Sequence, residues 1–276
     1  MADQSKIEWT DATWNFLRGC SRVSAGCEHC YAERHAYRFN AEGLPYAGLV
    51  RLGKKGPVWT GEVRPVPKFF RTPMSWREPR RIFVNSLSDT FHEDVPPEVL
   101  HEAFATMAAT PRHTYQVLTK RPARASDLFE SPEFVGEVRR RVPGNEAWPG
   151  WPLPNVWLGT SVESAAVAGR ITHLRHAPAA VRFVSAEPLL GDLTNVSIDG
   201  VDWLIVGGES GPGARPTEMA WFDAAVHAGY LAGADVFVKQ LGSPWAKANG
   251  AKHPKGGDPD EWPEHLRVRA FPGGGA

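Results

Sequence analysis

The chain has 276 residues and 42% hydrophobic content, enough for a substantial core in one large α/β domain or two small ones. Lysine plus arginine and aspartate plus glutamate number 31 each, so no global field draws the chain to nucleic acid or to an anionic membrane. No apolar run approaches the length of a membrane span and the first residues do not read as a signal peptide, so the expected setting is cytoplasmic and reducing, with no membrane partner.

In chain order, a short apolar stretch at residues 13–19 reads as a strand and leads into the sequence GCSRVSAGCEHCYAER. It holds the chain's three cysteines, Cys20, Cys27 and Cys30. Residues 30–41 then read as a helix. Residues 41–80 are rich in glycine and proline, carry two aromatic clusters and read as an insertion. Nine lysines and arginines fall within 51–81 against only Glu62 and Glu78, with Trp59, Phe69, Phe70 and Trp76 interleaved. Cations for phosphates and aromatics for bases suit a nucleic-acid groove, which Arg121 and Arg124 would extend. A solvated insertion packed by its own aromatics reads equally well.

Six apolar runs follow, at 81–89, 114–122, 155–163, 181–191, 202–211 and 235–242. Each is too short for a helix and too uniformly apolar for a half-exposed strand, so each reads as a strand buried on both faces of a parallel sheet. Helical spacing marks 96–110, which opens on prolines suited to a first turn, and 131–142, 163–177 and 217–233. The last has Thr217 in the N-cap position and a glycine at its end. The link 188–201 shows no helix. The alternation predicts an α/β fold, a partial (βα)6-type TIM-like barrel in a single domain over 1–276. The insertion spans about 41–80, and an irregular tail of about 243–276 is expected to fold back over the barrel mouth.

In such a barrel the site forms at the C-terminal ends of the strands. There the sequence places Ser88 and Asp89, Lys120, Ser161 and Glu163, Glu187, Glu209 and Lys239. Glu187 and Lys239 directly follow apolar runs, where an unpaired charge is costly, so each needs a ligand or a mutual partner.

An odd number of cysteines in a reducing setting points to metal ligation rather than disulfides. Zinc would need a fourth ligand, for which His29 and His35 are nearby. An iron–sulfur cluster held by three thiolates keeps one iron open, which suits catalysis better than electron storage.

The cysteine motif, with IEWTDATWN, VNSLSDTFHEDVP, QVLTKRP, WLGTSVE, SAEPLLG and VGGESGPGARP, resembles the radical S-adenosylmethionine (SAM) superfamily, and within it a phage-associated three-cysteine-motif branch. SLSDTFHEDVP with VLTKRP is also distantly similar to spore photoproduct lyase-type proteins. The gap from Cys20 to Cys27 is six residues where the superfamily usually has three, so this loop must bulge outward. The Gly-Gly-Glu usual after the second strand stands instead at 207–209.

The resemblance implies that Cys20, Cys27 and Cys30 hold a [4Fe–4S] cluster whose open iron binds SAM. A flavodoxin- or ferredoxin-type donor would supply the electron that yields a 5′-deoxyadenosyl radical. By position, Lys120 is the candidate for the SAM carboxylate. Ser88 and Asp89 are candidates for its amino or ribose groups, with Ser161, Glu163, Glu187 and Glu209 as further cofactor contacts. No fourth cysteine exists to return a hydrogen atom; a tyrosine such as Tyr115 could do so, or the substrate radical could leave by another route. Kinship with a DNA lyase suggests a nucleic-acid or nucleotide substrate, and DNA modification or repair. The alternative is a zinc-stabilised nucleic-acid-binding module without catalysis.

Overall fold

The computed structural model describes residues 4–144 and 148–273. In chain order the elements are β1 (Ala12–Trp14), β2 (Leu17–Arg18), α1 (Tyr31–Tyr37), β3 (Val50–Gly53), β4 (Gly56–Trp59), β5 (Arg64–Pro65) and β6 (Arg81–Val84). There follow α2 (Pro97–Ala108), β7 (Thr114–Thr119), α3 (Pro122–Glu130), α4 (Pro132–Arg141), β8 (Val156–Ser161) and α5 (Gly169–His176). The chain continues through β9 (Val181–Ala186), β10 (Trp203–Gly207), α6 (Met219–Leu231), β11 (Asp235–Gln240) and α7 (Ser243–Ala248).

The fold is α/β. Its main sheet has seven strands in the order β1-β6-β7-β8-β9-β10-β11, and the pairings β1–β6, β6–β7, β9–β10 and β10–β11 are parallel. Each strand lies beside its predecessor in the sheet and the order never reverses, unlike a doubly wound sheet. All six apolar runs are strands, and they are largely buried because helices and loops cover both faces. No helix among the described residues is long and apolar enough to cross a membrane.

The chain forms two compact units. The first comprises the chain up to Val23, Cys30–Leu158 and His176–Ala180. It contains β1, β6, β7 and the start of β8. Trp14 and Tyr115 are fully buried here with ring centroids 5.8 Å apart, and Phe104 and Trp151 pack edge-on to Phe129 and Phe134, which stack on each other. Helix α2 begins at Pro97, where a missing amide hydrogen is harmless. The predicted insertion is folded. A β3–β4 hairpin packs on α1, and β2 pairs antiparallel with β5. Helix α3 lies in a stretch where no helix is expected from the sequence.

The second unit comprises Ser24–His29, Gly159–Arg175 and the chain from Val181 onward. Its core stacks Phe183, Trp203, Phe237 and Phe271. Gly159 lies flat on Phe183, and a Cβ there would sit 2.4 Å from the ring. Thr217 does not cap α6. Glu218 takes the N-cap position without a side-chain bond, and the Thr217 hydroxyl donates instead to the Leu189 carbonyl at 2.9 Å. The C-terminal end of α6 closes as expected, with Gly233 left-handed at φ 71° and Ala234 N–H reaching back to Gly229 C=O at 3.0 Å.

The tail is not laid over the strand ends alone. Val238 N–H donates to Val268 C=O and Ala270 N–H to Val236 C=O, so the tail covers the open edge of β11. Trp262 and Leu266 of the tail are buried, and α7 lies within the stretch expected to be irregular.

Candidate active site: the cysteine loop and its anchors

The loop from Gly19 to Cys30 joins β2 to α1, and all three cysteines are free and half-buried. In the first unit its opening limb is fixed by backbone contacts. Asn85 adopts φ 53°, an uncommon left-handed conformation for a residue other than glycine. That turn points its side-chain oxygen at the Phe16 and Leu17 amides, 3.1 Å from each, while its amide donates to Thr90 Oγ1 at 3.0 Å. Gly19 has φ 87°, and a Cβ there would lie 2.0 Å from the Glu62 carbonyl oxygen, so no side chain fits. Ser88 Oγ donates to the Gly19 carbonyl at 2.6 Å.

Beside Cys20 lies a buried polar cluster. The Asp89 carboxylate accepts from Thr119 Oγ1 at 2.6 Å, Lys120 N–H at 2.9 Å, Phe91 N–H at 3.0 Å and Arg121 at 3.1 Å. Arg121 also pairs with Glu93 at 2.8 Å and donates to Ser21 Oγ at 2.7 Å. His92 Nδ1 accepts from the Asp94 amide, so its neutral ring carries the hydrogen on Nε2 and donates it to Ser21 Oγ, 2.8 Å away. Burial, then the Arg121 charge, push His92 below its usual range and keep it neutral. Burial opposes the charge on Arg121, but Asp89, then Cys20 and Glu93, outweigh it and raise its pKa. The Arg121 guanidinium thus stands in charge contact with Cys20.

Cys30 occupies the N-cap position of α1. Burial raises its thiol pKa, while the backbone amides of Glu33 and Ala32 and the Lys120 charge act in the opposite direction. Cys20, Cys30 and Leu87 pack against one cluster of Ala32, Ala36, Tyr46, Leu49, Val50 and Trp59. Glu33 is buried beneath α1, pairs with Arg22 at 2.6 Å and accepts from the Trp59 amide at 3.1 Å, which ties the helix to the β3–β4 hairpin.

In the second unit Cys27 ends a short 3-10 turn, Ala25–Cys27. Two buried carboxylates hold that turn from different strand ends. Glu163, just past β8, accepts from the Gly26 amide at 3.1 Å and from Arg170 at 3.0 Å. Glu209, just past β10, accepts from His29 Nδ1 at 2.9 Å and from Arg215 at 2.6 Å, and Arg215 donates on to the Ala25 carbonyl. Burial alone would raise the Glu209 carboxyl, but Arg215 and His29 outweigh it and hold it below the usual range. Nearby, Glu187 and Lys239 pair at 2.6 Å across Gly207, where an added Cβ would crowd the Glu187 side chain. That mutual pairing is one of the two solutions their positions require.

Several expected roles change. Ser88, Asp89, Glu163 and Glu209 make hydrogen bonds to protein groups in or beside the cysteine loop. Tyr115 is fully buried against Trp14, and its hydroxyl shares a 2.6 Å bond with Thr110 Oγ1. It is a core residue, and the hydrogen-return role does not suit it. Ser161 is buried, with its carbonyl accepting from Arg170 at 2.9 Å. The Lys120 charge acts on Cys30. Arg121 and Arg124 do not extend a basic surface. The first is buried in the Asp89 cluster, and the second donates to the His92 and Val95 carbonyls. Of the four aromatics expected to stack on bases, Trp59 is buried and the others are half-buried. His29 is engaged by Glu209, and His35 lies exposed on α1. Among the described residues no three His, Cys, Asp or Glu side chains are arranged to hold a single metal ion.

Fold and site together define an α/β protein with a sequentially ordered seven-stranded sheet, whose strand-end residues anchor a loop of three free cysteines. The chain belongs to the family described as "Protein of unknown function (DUF5131)", whose model matches residues 4–264. No curated protein and no solved structure matches the chain.

Proposed function

We propose that this protein is a radical SAM enzyme that acts on a nucleic acid or nucleotide, and that its sheet is a partial (βα) barrel. The observation that carries the reading is the loop itself: three free thiols in eleven residues, with anchors reaching it from the ends of separate strands. Cys20, Cys27 and Cys30 would hold the [4Fe–4S] cluster. Only Glu28 and His29 separate Cys27 from Cys30, so their Cα atoms stay within about 11 Å. Cys20 and Cys30 rest on the same apolar cluster. When bound, the cluster with SAM would supply a carbon radical able to abstract hydrogen from substrate.

The chain's own groups then have plain tasks. The Ala32 and Glu33 amides and the Lys120 charge offset part of the burial that raises the Cys30 thiol, and the Arg121 guanidinium stands in charge contact with Cys20. Lys120 would take the SAM carboxylate, because its charge already acts on Cys30. The buried anchors would keep the loop from collapsing when no cluster is present. A sheet whose strands follow one another without reversal supports the barrel.

The zinc alternative would need a fourth ligand beside the three thiolates. A cluster would need only the three thiolates, converging with each on a different iron. The test is anaerobic reconstitution followed by iron, sulfide and zinc analysis of the wild type and of Cys20→Ala, Cys27→Ala and Cys30→Ala. About four iron and four sulfide per chain, lost in each variant, is the expected result. One zinc per chain and no retained iron would overturn the proposal.

A further inference from the structure

The aromatics of residues 64–81, Phe69, Phe70 and Trp76, are each half-buried. The exposed aromatics of the first unit lie elsewhere, on α1 and just beyond it. Tyr31 is 53% exposed and Phe39 42%, and His35 between them is exposed as well. At helical spacing Tyr31, Arg34, His35 and Arg38 fall on one face. The opposite face, Ala32, Glu33 and Ala36, is buried against the β3–β4 hairpin. On this face Tyr31, His35 and Arg38 are exposed and Arg34 is half-buried, so rings alternate with guanidinium groups. The His35 and Phe39 rings continue it with centroids 5.2 Å apart.

Charge supports the same reading. From Cys30 to Thr60 the chain carries Arg34, Arg38, Arg51, Lys54 and Lys55 against Glu33 and Glu42, and Glu33 is already paired with Arg22. This layer of an otherwise neutral protein is therefore positive. The Tyr31 hydroxyl donates to the Ser86 carbonyl, which fixes the ring while leaving much of it in solvent. A ring held in place before binding loses little freedom on binding.

We infer that the exposed face of α1, with Phe39, seats single-stranded nucleic acid, the bases stacking on Tyr31, His35 and Phe39 and the phosphates meeting Arg34 and Arg38. Single strands fit because only unpaired bases offer their faces to side chains. The face begins at the residue after Cys30 and runs about 10 Å to Arg38. A strand seated on it would be led to the cysteine loop. This deepens the substrate half of the proposed function and does not depend on the cofactor half, because it is read by binding alone.

The test is fluorescence anisotropy of a labelled 20-nucleotide oligothymidine with the full chain, over a range of salt. The single strand should bind more tightly than a duplex of equal length. Phe39→Ala should weaken binding about 5- to 150-fold, the value of one base–aromatic stack. Charge reversal of Arg34 and Arg38 should lower the salt slope by about 0.7 for each phosphate that is no longer neutralised. Arg139→Glu on α4 should change nothing. Photo-crosslinking of the wild type with a 4-thiothymidine oligonucleotide, which needs no folded variant, should label 31–39. Equal or tighter duplex binding, crosslinks confined to 64–81, or affinity untouched by both α1 changes would each overturn the inference. A failed reconstitution of the cluster would leave it standing.

Discussion

Replacing Arg121 with methionine tests the anchor of the Cys20 limb. The side chains of Arg121 and Asp89 are 5% and 8% exposed, so the substitution strands a buried carboxylate. Breaking a buried pair from one side costs about 3–5 kcal/mol. Asp89 keeps three donors, from Thr119, Lys120 and Phe91, which places the loss near the lower end, at about 3 kcal/mol. The bond to Glu93 adds little, because that carboxylate is 65% exposed. The melting temperature should fall by about 6–12 °C. Chemical denaturation under reducing conditions measures the loss. Asp89→Asn and the double variant complete a cycle, in which the double should cost at least about 1 kcal/mol less than the sum. Arg121→Lys should rescue only in part, since an ammonium cannot span Asp89, Glu93 and Ser21 together. The distinctive readout is iron: Arg121→Met that folds should retain less after reconstitution. A loss under about 1 kcal/mol, or strict additivity, would refute the reasoning.

Glu209→Gln should free the 24–29 segment, with faster amide exchange there and a stability loss of about 2 kcal/mol at neutral pH. The Glu209 carboxyl is held below its usual range, so its stabilisation is complete above the unfolded value of about 4.3 and lost as pH falls through the folded value. The gap between wild type and Glu209→Gln should therefore close on acidification below about pH 4, and a gap that widens would contradict this assignment. Gly19→Ala should destabilise by more than about 1 kcal/mol, because φ 87° and the Glu62 carbonyl both exclude a Cβ. Thermal unfolding measures it, and an unchanged midpoint would show that the turn relaxes freely.

Much of this fold is legible in the sequence because strands buried on both faces must be apolar throughout. Runs such as Val181–Ala186 and Trp203–Gly207 admit few other readings. Helix α3 is not legible, because nine residues with polar and small side chains between a strand and another helix give too weak a period. The β3–β4 hairpin is hidden by the glycines and prolines that also mark loops. The cysteines announce themselves by rarity and spacing. Their supports do not, since Glu163 and Glu209 reach Gly26 and His29 across 137 and 180 residues of chain. At a strand end, a carboxylate that will bind a ligand and one that will hold a loop look alike in sequence. Arg121 is similarly ambiguous: in sequence it is one more cation near a basic segment, and only folding shows it buried among carboxylates.

The most direct test of the central claim is electron paramagnetic resonance on the full chain, reconstituted without oxygen and reduced, with and without SAM. The account predicts a [4Fe–4S]⁺ signal that changes on adding SAM and disappears in the Cys27→Ala variant. A signal indifferent to SAM would contradict the assignment of an open iron. No cluster signal, in a chain that instead holds stoichiometric zinc, would contradict the account at its root.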